Sequence, residues 1–173
     1  MYIPIILGTA RQGRESEKVA RFVLGEAKAA GIGTELLDAR DFVPPATDNS
    51  KTSPQAKTLA AAISKADAII IVSPEYNHGY PGELKLMLDL LYEEYAGKPL
   101  GIVGVSAGPF GGTRMVEQLR LVAIELRMIP IRDALHFPNV RDCFDAKGRP
   151  KDVAYSERAR KFLDTLAGHA KKS

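Results

Sequence analysis

The chain of 173 residues carries 24 Lys and Arg against 21 Asp and Glu, for a net charge of +3 and a pI near 9.0. Its length suits one α/β domain, residues 1–173, and excludes two of ordinary size, while 45% hydrophobic and 26% charged residues exclude a disordered chain. The basic residues are scattered among acids without interleaved aromatics, which reads as a solvated surface and not a nucleic-acid groove, and the lone Cys143 permits neither an internal disulfide nor a CxxC metal site.

Short apolar runs alternate with longer segments of helical period, the pattern of repeated βα units feeding a parallel sheet. The first strand, Ile3 to Leu7, lacks the basic start and the length of a signal segment, and no later run approaches the about 20 residues that span a bilayer. A cytoplasmic protein without membrane contact is the expectation. Further strands are predicted from Thr34 to Leu37, Ala68 to Val72, Leu100 to Val105 and Met128 to Arg132. Helices fit from Ser16 to Ala30, Pro54 to Lys65, Pro81 to Tyr92, Thr113 to Arg127 and Asp152 to Ala170. Pro54 and Pro81 suit a first helical turn and Gly31 a helix stop, while the stretch from Pro44-Pro45 to Ser53 reads as a surface loop. Five strands alternating with five helices fit a flavodoxin-like doubly wound sheet of order 2-1-3-4-5. That topology places a ligand beyond the carboxyl ends of strands 1 and 3.

After strand 1 the chain reads Gly8-Thr9-Ala10-Arg11-Gln12-Gly13-Arg14-Glu15-Ser16 and then turns helical. A helix start favours an anion through its dipole and free N–H groups; Thr9 and Ser16 add hydroxyls, Arg11 and Arg14 charge-assisted donors. The competing reading is a plain connection in which Ser16 only caps the helix. Neither GxGxxG nor GxxxxGK[ST] is present, so no dinucleotide fingerprint or NTPase loop stands behind this segment. Asp38, placed where a dinucleotide fold has its ribose-binding acid, therefore reads as a loop cap.

After strand 3 come Ser73-Pro74-Glu75-Tyr76-Asn77-His78-Gly79-Tyr80-Pro81. Two prolines stiffen this loop, Asn77 can donate or accept, and Tyr76, His78 and Tyr80 offer faces or rims for a flat ring such as a flavin. His78 and Tyr80 are expected to line the substrate side.

The run Pro74-Glu75-Tyr76-Asn77, followed by Pro81-Gly82 and Leu84-Lys85, resembles the signature of the NAD(P)H-dependent FMN reductases, a family that includes quinone, chromate and azo-dye reductases. The Gly8-Thr9-Ala10-Arg11 loop with Ser16 is similar to the phosphate loop of that family. The resemblance implies FMN as cofactor and NADPH or NADH as electron donor. It implies that Thr9, Arg11 and Ser16 hold the FMN phosphate, and that Pro74, Glu75, Tyr76 and Asn77 contact the isoalloxazine or ribityl chain. It also implies ping-pong hydride transfer to a small-molecule acceptor, with no catalytic side chain required.

After strand 4, Gly104-Val105-Ser106-Ala107-Gly108 matches the G-x-S-x-G elbow of serine hydrolases. No HGGG-type loop precedes it, and Asp133 and His136 are crowded together downstream, so an esterase is the weaker reading. The flavin reading has Ser106, Gly108, Gly111 and Gly112 form a loop whose backbone approaches the ring or ribityl hydroxyls without Cβ obstruction. Arg114 is open to two roles, a flavin contact or an ion pair with Glu117 or another exposed acid. His136 and His169 have no metal-ligand spacing, so no metal is expected.

On the helix after Pro81, Leu84, Met87, Leu88 and Leu91 form one stripe, and Leu86 and Leu90 a second. The second stripe predicts a subunit interface and hence a homodimer or homotetramer, as the resemblance also implies. A flavodoxin-type electron carrier is the rival from another class; such carriers are typically acidic, unlike this chain.

Overall fold

The structure, a computed structural model, describes residues 1–44 and 50–172. Five strands, β1 (Ile5–Leu7), β2 (Leu36–Asp38), β3 (Ile69–Pro74), β4 (Pro99–Val105) and β5 (Ile129–Phe137), pair in parallel in the order β2-β1-β3-β4-β5. Around them lie helices α1 (Ser16–Ala29), α2 (Ala39–Phe42), α3 (Pro54–Ser64), α4 (Gly82–Leu88), α5 (Thr113–Glu125), α6 (Val140–Cys143) and α7 (Ala154–Ala170). This is the flavodoxin-like order that the alternation of strands and helices predicts.

Strand alternation divides the aliphatic residues between two cores. Ile6, Ile69, Ile71, Leu100 and Ile102 pack with α3, α4 and α5, whereas Ile5, Leu7, Ile70, Val72, Val103 and Val105 pack with α1 and α7. The register pairs Leu7 with Val72, Pro74 with Val105, and Val105 with Phe137. The carboxyl ends of β3, β4 and β5 thus finish level, with that of β1 two residues short, and the loops that follow them meet at one edge.

Local signals act as read at several ends. The Ser53 hydroxyl accepts the Ala56 N–H at 3.0 Å in front of Pro54. Gly31, at φ 74°, ends α1 with Gly31 N donating to Lys28 O and Ile32 N to Ala27 O, both at 3.0 Å, the double bond of a Schellman end. Asp38 caps α2 by accepting the Arg40 N–H at 3.0 Å. Of the predicted 44–53 surface loop, residues 45–49 lie outside the described residues.

Two expectations are corrected. The helix after Pro81 stops at Leu88, with Asp89 as its cap, so the two stripes do not continue to Tyr92. Leu90, past the helix end, turns into the core and is 7% exposed, and Leu86 is half-buried; the proposed second face dissolves. The last strand runs to Phe137 instead of Arg132, because the polar pair Arg132-Asp133 sits in a register break between Leu100–Pro130 and Ile102–Ala134. Arg120 on α5 satisfies carbonyls at that break, donating to Ile131 O at 2.7 Å and Arg132 O at 2.8 Å.

Candidate active site

The first loop encloses a cavity of about 350 Å³ between the start of α1, the β3 and β4 ends and α6. Arg11, Ser16, Glu75, Tyr76, Ser106 and Arg141 all face it. Thr9 is fully buried; its hydroxyl lies 3.2 Å from the Tyr76 hydroxyl and accepts the Arg11 N–H at 3.3 Å, tying the first loop to the third. Ser16 does not cap α1, since Glu15 is the capping residue and no side chain bonds there. Instead the Ser16 hydroxyl is buried without a hydrogen-bond partner at the cavity wall. Arg11 is exposed and lies over the Tyr76 ring at 5.3 Å, with no carboxylate partner among the described residues.

Arg14 borders the same cavity, and its Nε is buried without a partner while its terminal nitrogens are taken up within the protein. Its side chain is 2% exposed, and both terminal nitrogens are engaged: they bond the Asp38 carboxylate, Nη1 at 2.7 Å to Oδ1, and Nη1 also donates to Thr9 O. Burial opposes the charge on Asp38, but the hydrogen bonds from Arg14 and from the Arg40 N–H outweigh it and hold the carboxyl below its ordinary range. Arg14 therefore braces the loop from beneath. Glu15 and Glu17, which would oppose an anion, are occupied by Lys18 at 2.7 Å and Arg21 at 2.7 Å.

The third loop is a two-residue hairpin. Tyr76 N donates to Gly79 O and Gly79 N to Tyr76 O, both at 2.9 Å, while Asn77 (φ 50°) and His78 (φ 69°) occupy the left-handed region. Glu75 N donates to Val105 O at 2.9 Å, and the Glu75 carboxylate reaches the first turn of α5. There it accepts the Arg114 N–H at 3.2 Å, the Met115 N–H at 3.4 Å and Arg114 Nε at 2.6 Å. Arg114 thus pairs with an acid 39 residues away, while Glu117 takes Arg120 at 3.3 Å. Tyr80 is half-buried against the core, and His78 is exposed at a second cavity of about 230 Å³ with Asn77, Phe110 and Arg114.

The fourth loop is closed on itself. Ser106 Oγ donates to Gly108 O at 2.7 Å and accepts the Gly111 N–H at 2.8 Å; no histidine bonds it among the described residues, which leaves the hydrolase motif without its base. His136 Nδ1 lies 3.1 Å from Gly111 O instead. Gly111 and Gly112 are not the open approach expected of them. A Cβ on Gly112 (φ 79°) would fall 2.7 Å from Val105 N, and one on Gly111 2.9 Å from His136 Cβ, so these glycines let the loop pack onto β4 and β5. Of the glycines in this loop, Gly108 alone faces open space. Pro74, the last residue of β3, is buried yet lines the first cavity. Arg141, on a four-residue helix with no periodicity to announce it, was not legible as a site residue.

Comparison with known proteins decides the class. The sequence profile of the NADPH-dependent FMN reductases matches residues 1–142. The chain belongs to that family. It is 34% identical over 149 residues to an NAD(P)H-dependent FMN reductase of Schizosaccharomyces pombe, covering 79% of this chain and 73% of the relative. A quinone reductase of Pseudomonas putida is 27% identical over 159 residues, covering 87% and 84%. The fold is shared with the flavoenzyme NAD(P)H:(acceptor) oxidoreductase FerB of Paracoccus denitrificans, at a TM-score of 0.83 and 21% identity over 99% of this chain and 97% of that one. Family membership makes the chain an oxidoreductase working with FMN and a nicotinamide donor, and the electron-carrier reading falls. Among the described residues no helix is long and apolar enough to cross a membrane, and no cluster could hold a metal.

Proposed function

We propose that the chain takes electrons from NADPH or NADH by a ping-pong route and passes them to a flat conjugated acceptor, free flavin, a quinone or an azo compound, with metal oxyanions as smaller alternatives. The observation that carries this reading is the buried, unpartnered Ser16 hydroxyl at the start of α1, in a cavity it shares with the unpaired Arg11. A buried hydroxyl without a partner costs stability, and a phosphate oxygen at the helix start would supply the missing bond. FMN fits this donor set: Ser16 and Arg11 would hold its phosphate, with Arg141 from the opposite wall and Thr9 fixing the loop from behind, and Pro74, Tyr76, Asn77 and Ser106 would border its ring and ribityl chain. Bound there, FMN supplies the hydride chemistry. The protein's part is to fix the ring with the stiff hairpin of residues 76–79 and to leave the cavity beside His78, Phe110 and Gly108 open to the donor and then the acceptor.

A homo-oligomer keeps a physical basis on α5, where Leu121 and Ile124 are 70% and 63% exposed one turn apart. A second copy of this chain covers that face in our reading, and Leu121→Glu with Ile124→Glu should turn the assembly into monomers in sedimentation. Cytoplasmic location remains part of the proposal. The deciding assay is NAD(P)H oxidation by the FMN-loaded protein, acceptor by acceptor. Steady oxidation with parallel double-reciprocal lines supports the reading. FMN that does not bind, or no oxidation with any acceptor, sinks it.

A further inference from the structure

The side chain of Glu75 is 4% exposed, yet Glu75 borders the first cavity, the cavity beside His78 and a third hollow between Arg11, Asn77 and Glu83. A buried carboxylate is a strong fixed charge, because little water screens it. It cannot rotate away, since it accepts two backbone N–H groups at the start of α5. Its only cationic partner among the described residues is Arg114, which pairs with it closely.

Arg114 is held as firmly. Its Nη1 stands 2.7 Å from His78 Nε2, which can only accept, since a guanidinium has no lone pair to offer. Its carbon lies 4.9 Å over the Phe110 ring. A cation in the first turn of a helix opposes the helix dipole, so this position is unfavourable for α5 itself. The arrangement makes sense as charge placement at the cavity edge.

We propose that Arg114 is an electrostatic positioning residue: by neutralising Glu75 beside the cofactor cavity it removes the repulsion that the carboxylate would exert on reduced, negatively charged FMN. The inference rests on the FMN reading above and concerns a residue that the first- and third-loop motifs do not contain. Loss of the cation leaves the carboxylate facing the flavin and disfavours its reduced form. Loss of the carboxylate leaves the cation alone and favours it.

The test is the two-electron midpoint potential of FMN bound to the intact protein, set beside that of free FMN. Arg114→Ala should weaken binding of reduced relative to oxidised FMN about tenfold, a fall of about 30 mV. Glu75→Gln should raise the potential, the pair Glu75→Gln with Arg114→Ala should return it towards wild type, and Arg114→Lys should hold it. Opposite signs are the mark of charge, since a merely structural role would loosen FMN in every variant alike. If Arg114→Ala fails to fold, Glu75→Gln decides alone, and a potential that falls or stays overturns the inference. Wild-type protein that retains no FMN overturns the cofactor reading and this inference with it; FMN retained at unchanged potentials overturns only the inference.

Discussion

The first and fourth loops leave β1 and β4, the strands on either side of β3, at the same sheet edge, and both offer a serine, glycines and a following helix. Yet Ser16 Oγ has no partner, whereas Ser106 Oγ bonds both Gly108 O and Gly111 N. Arg11 stands free of carboxylates among the described residues, whereas Gly111 and Gly112 of the fourth loop are pressed onto β5 and β4. The difference teaches which loop is waiting for a ligand and which is scaffold: unsatisfied donors at a cavity mark the former, completed bonds the latter.

The largest effect should come from breaking the scaffold loop. Gly112→Ala forces a Cβ to within 2.7 Å of Val105 N at φ 79°, combining left-handed strain with overpacking. A loss of about 3 kcal/mol or more is expected in urea unfolding. A stable Ala variant would mean that the fourth loop is free to move, and the contrast between the loops would vanish.

Next in size is the ligand loop. Arg11→Ala should weaken FMN by about 1.5 to 3 kcal/mol while sparing riboflavin, because this arginine addresses only the phosphate. Equal losses for both ligands in a fluorescence titration would show the loop misread. The two serines should then give mirrored results. Ser106→Ala strips the Gly111 N–H of its acceptor and should cost about 1 to 2 kcal/mol of stability, with NAD(P)H oxidation largely kept. Ser16→Ala should leave apo stability unchanged or higher and weaken FMN by about 1 kcal/mol. Ester hydrolysis that disappears with Ser106 would revive the hydrolase reading.

A smaller, pH-dependent contrast concerns the brace under the first loop. The folded Asp38 carboxyl lies below its ordinary range, so its stabilisation is present above the unfolded pKa of about 3.9 and is lost as pH falls through the depressed folded value. Asp38→Asn should therefore flatten the acid limb of the stability profile below about pH 4. An acid limb identical to wild type would show that Arg14 draws its hold from elsewhere.

The sequence shows these loops unequally, for physical reasons. Strand alternation and the helix stop at Gly31 are local, so the fold was legible. Arg11, Ser16 and the Pro74–Asn77 run were legible as cavity-lining candidates because residue type and place after a strand coincide. Leu90 was not, since the helical period simply continues through Asp89 where the chain stops being helical. Nor were the Gly111–Gly112 packing or the Glu75–Arg114 pair. A glycine does not announce whether ligand or backbone fills its missing Cβ, and only topology brings residues 75 and 114 together.

The smallest predicted effect tests whether a missing partner alone marks a ligand site. Tyr95 answers this question, because its hydroxyl is buried without a partner like that of Ser16. Its surroundings differ: it sits in the core on the α3, α4 and α5 side of the sheet, and burial drives its pKa far up. No cavity described above is lined by it. The hydroxyl therefore has nothing to gain from a ligand and only a desolvation cost to shed. Tyr95→Phe keeps the ring and its packing while removing that cost, so stability should stay level or rise by up to about 1 kcal/mol, with FMN affinity unchanged. Ser16→Ala shares the stability outcome but not the affinity outcome, and that divergence isolates the cavity as the deciding feature. If Tyr95→Phe instead destabilises the protein, a buried water completes its bond, and the missing partner at Ser16 would need the same explanation before it could count for a phosphate.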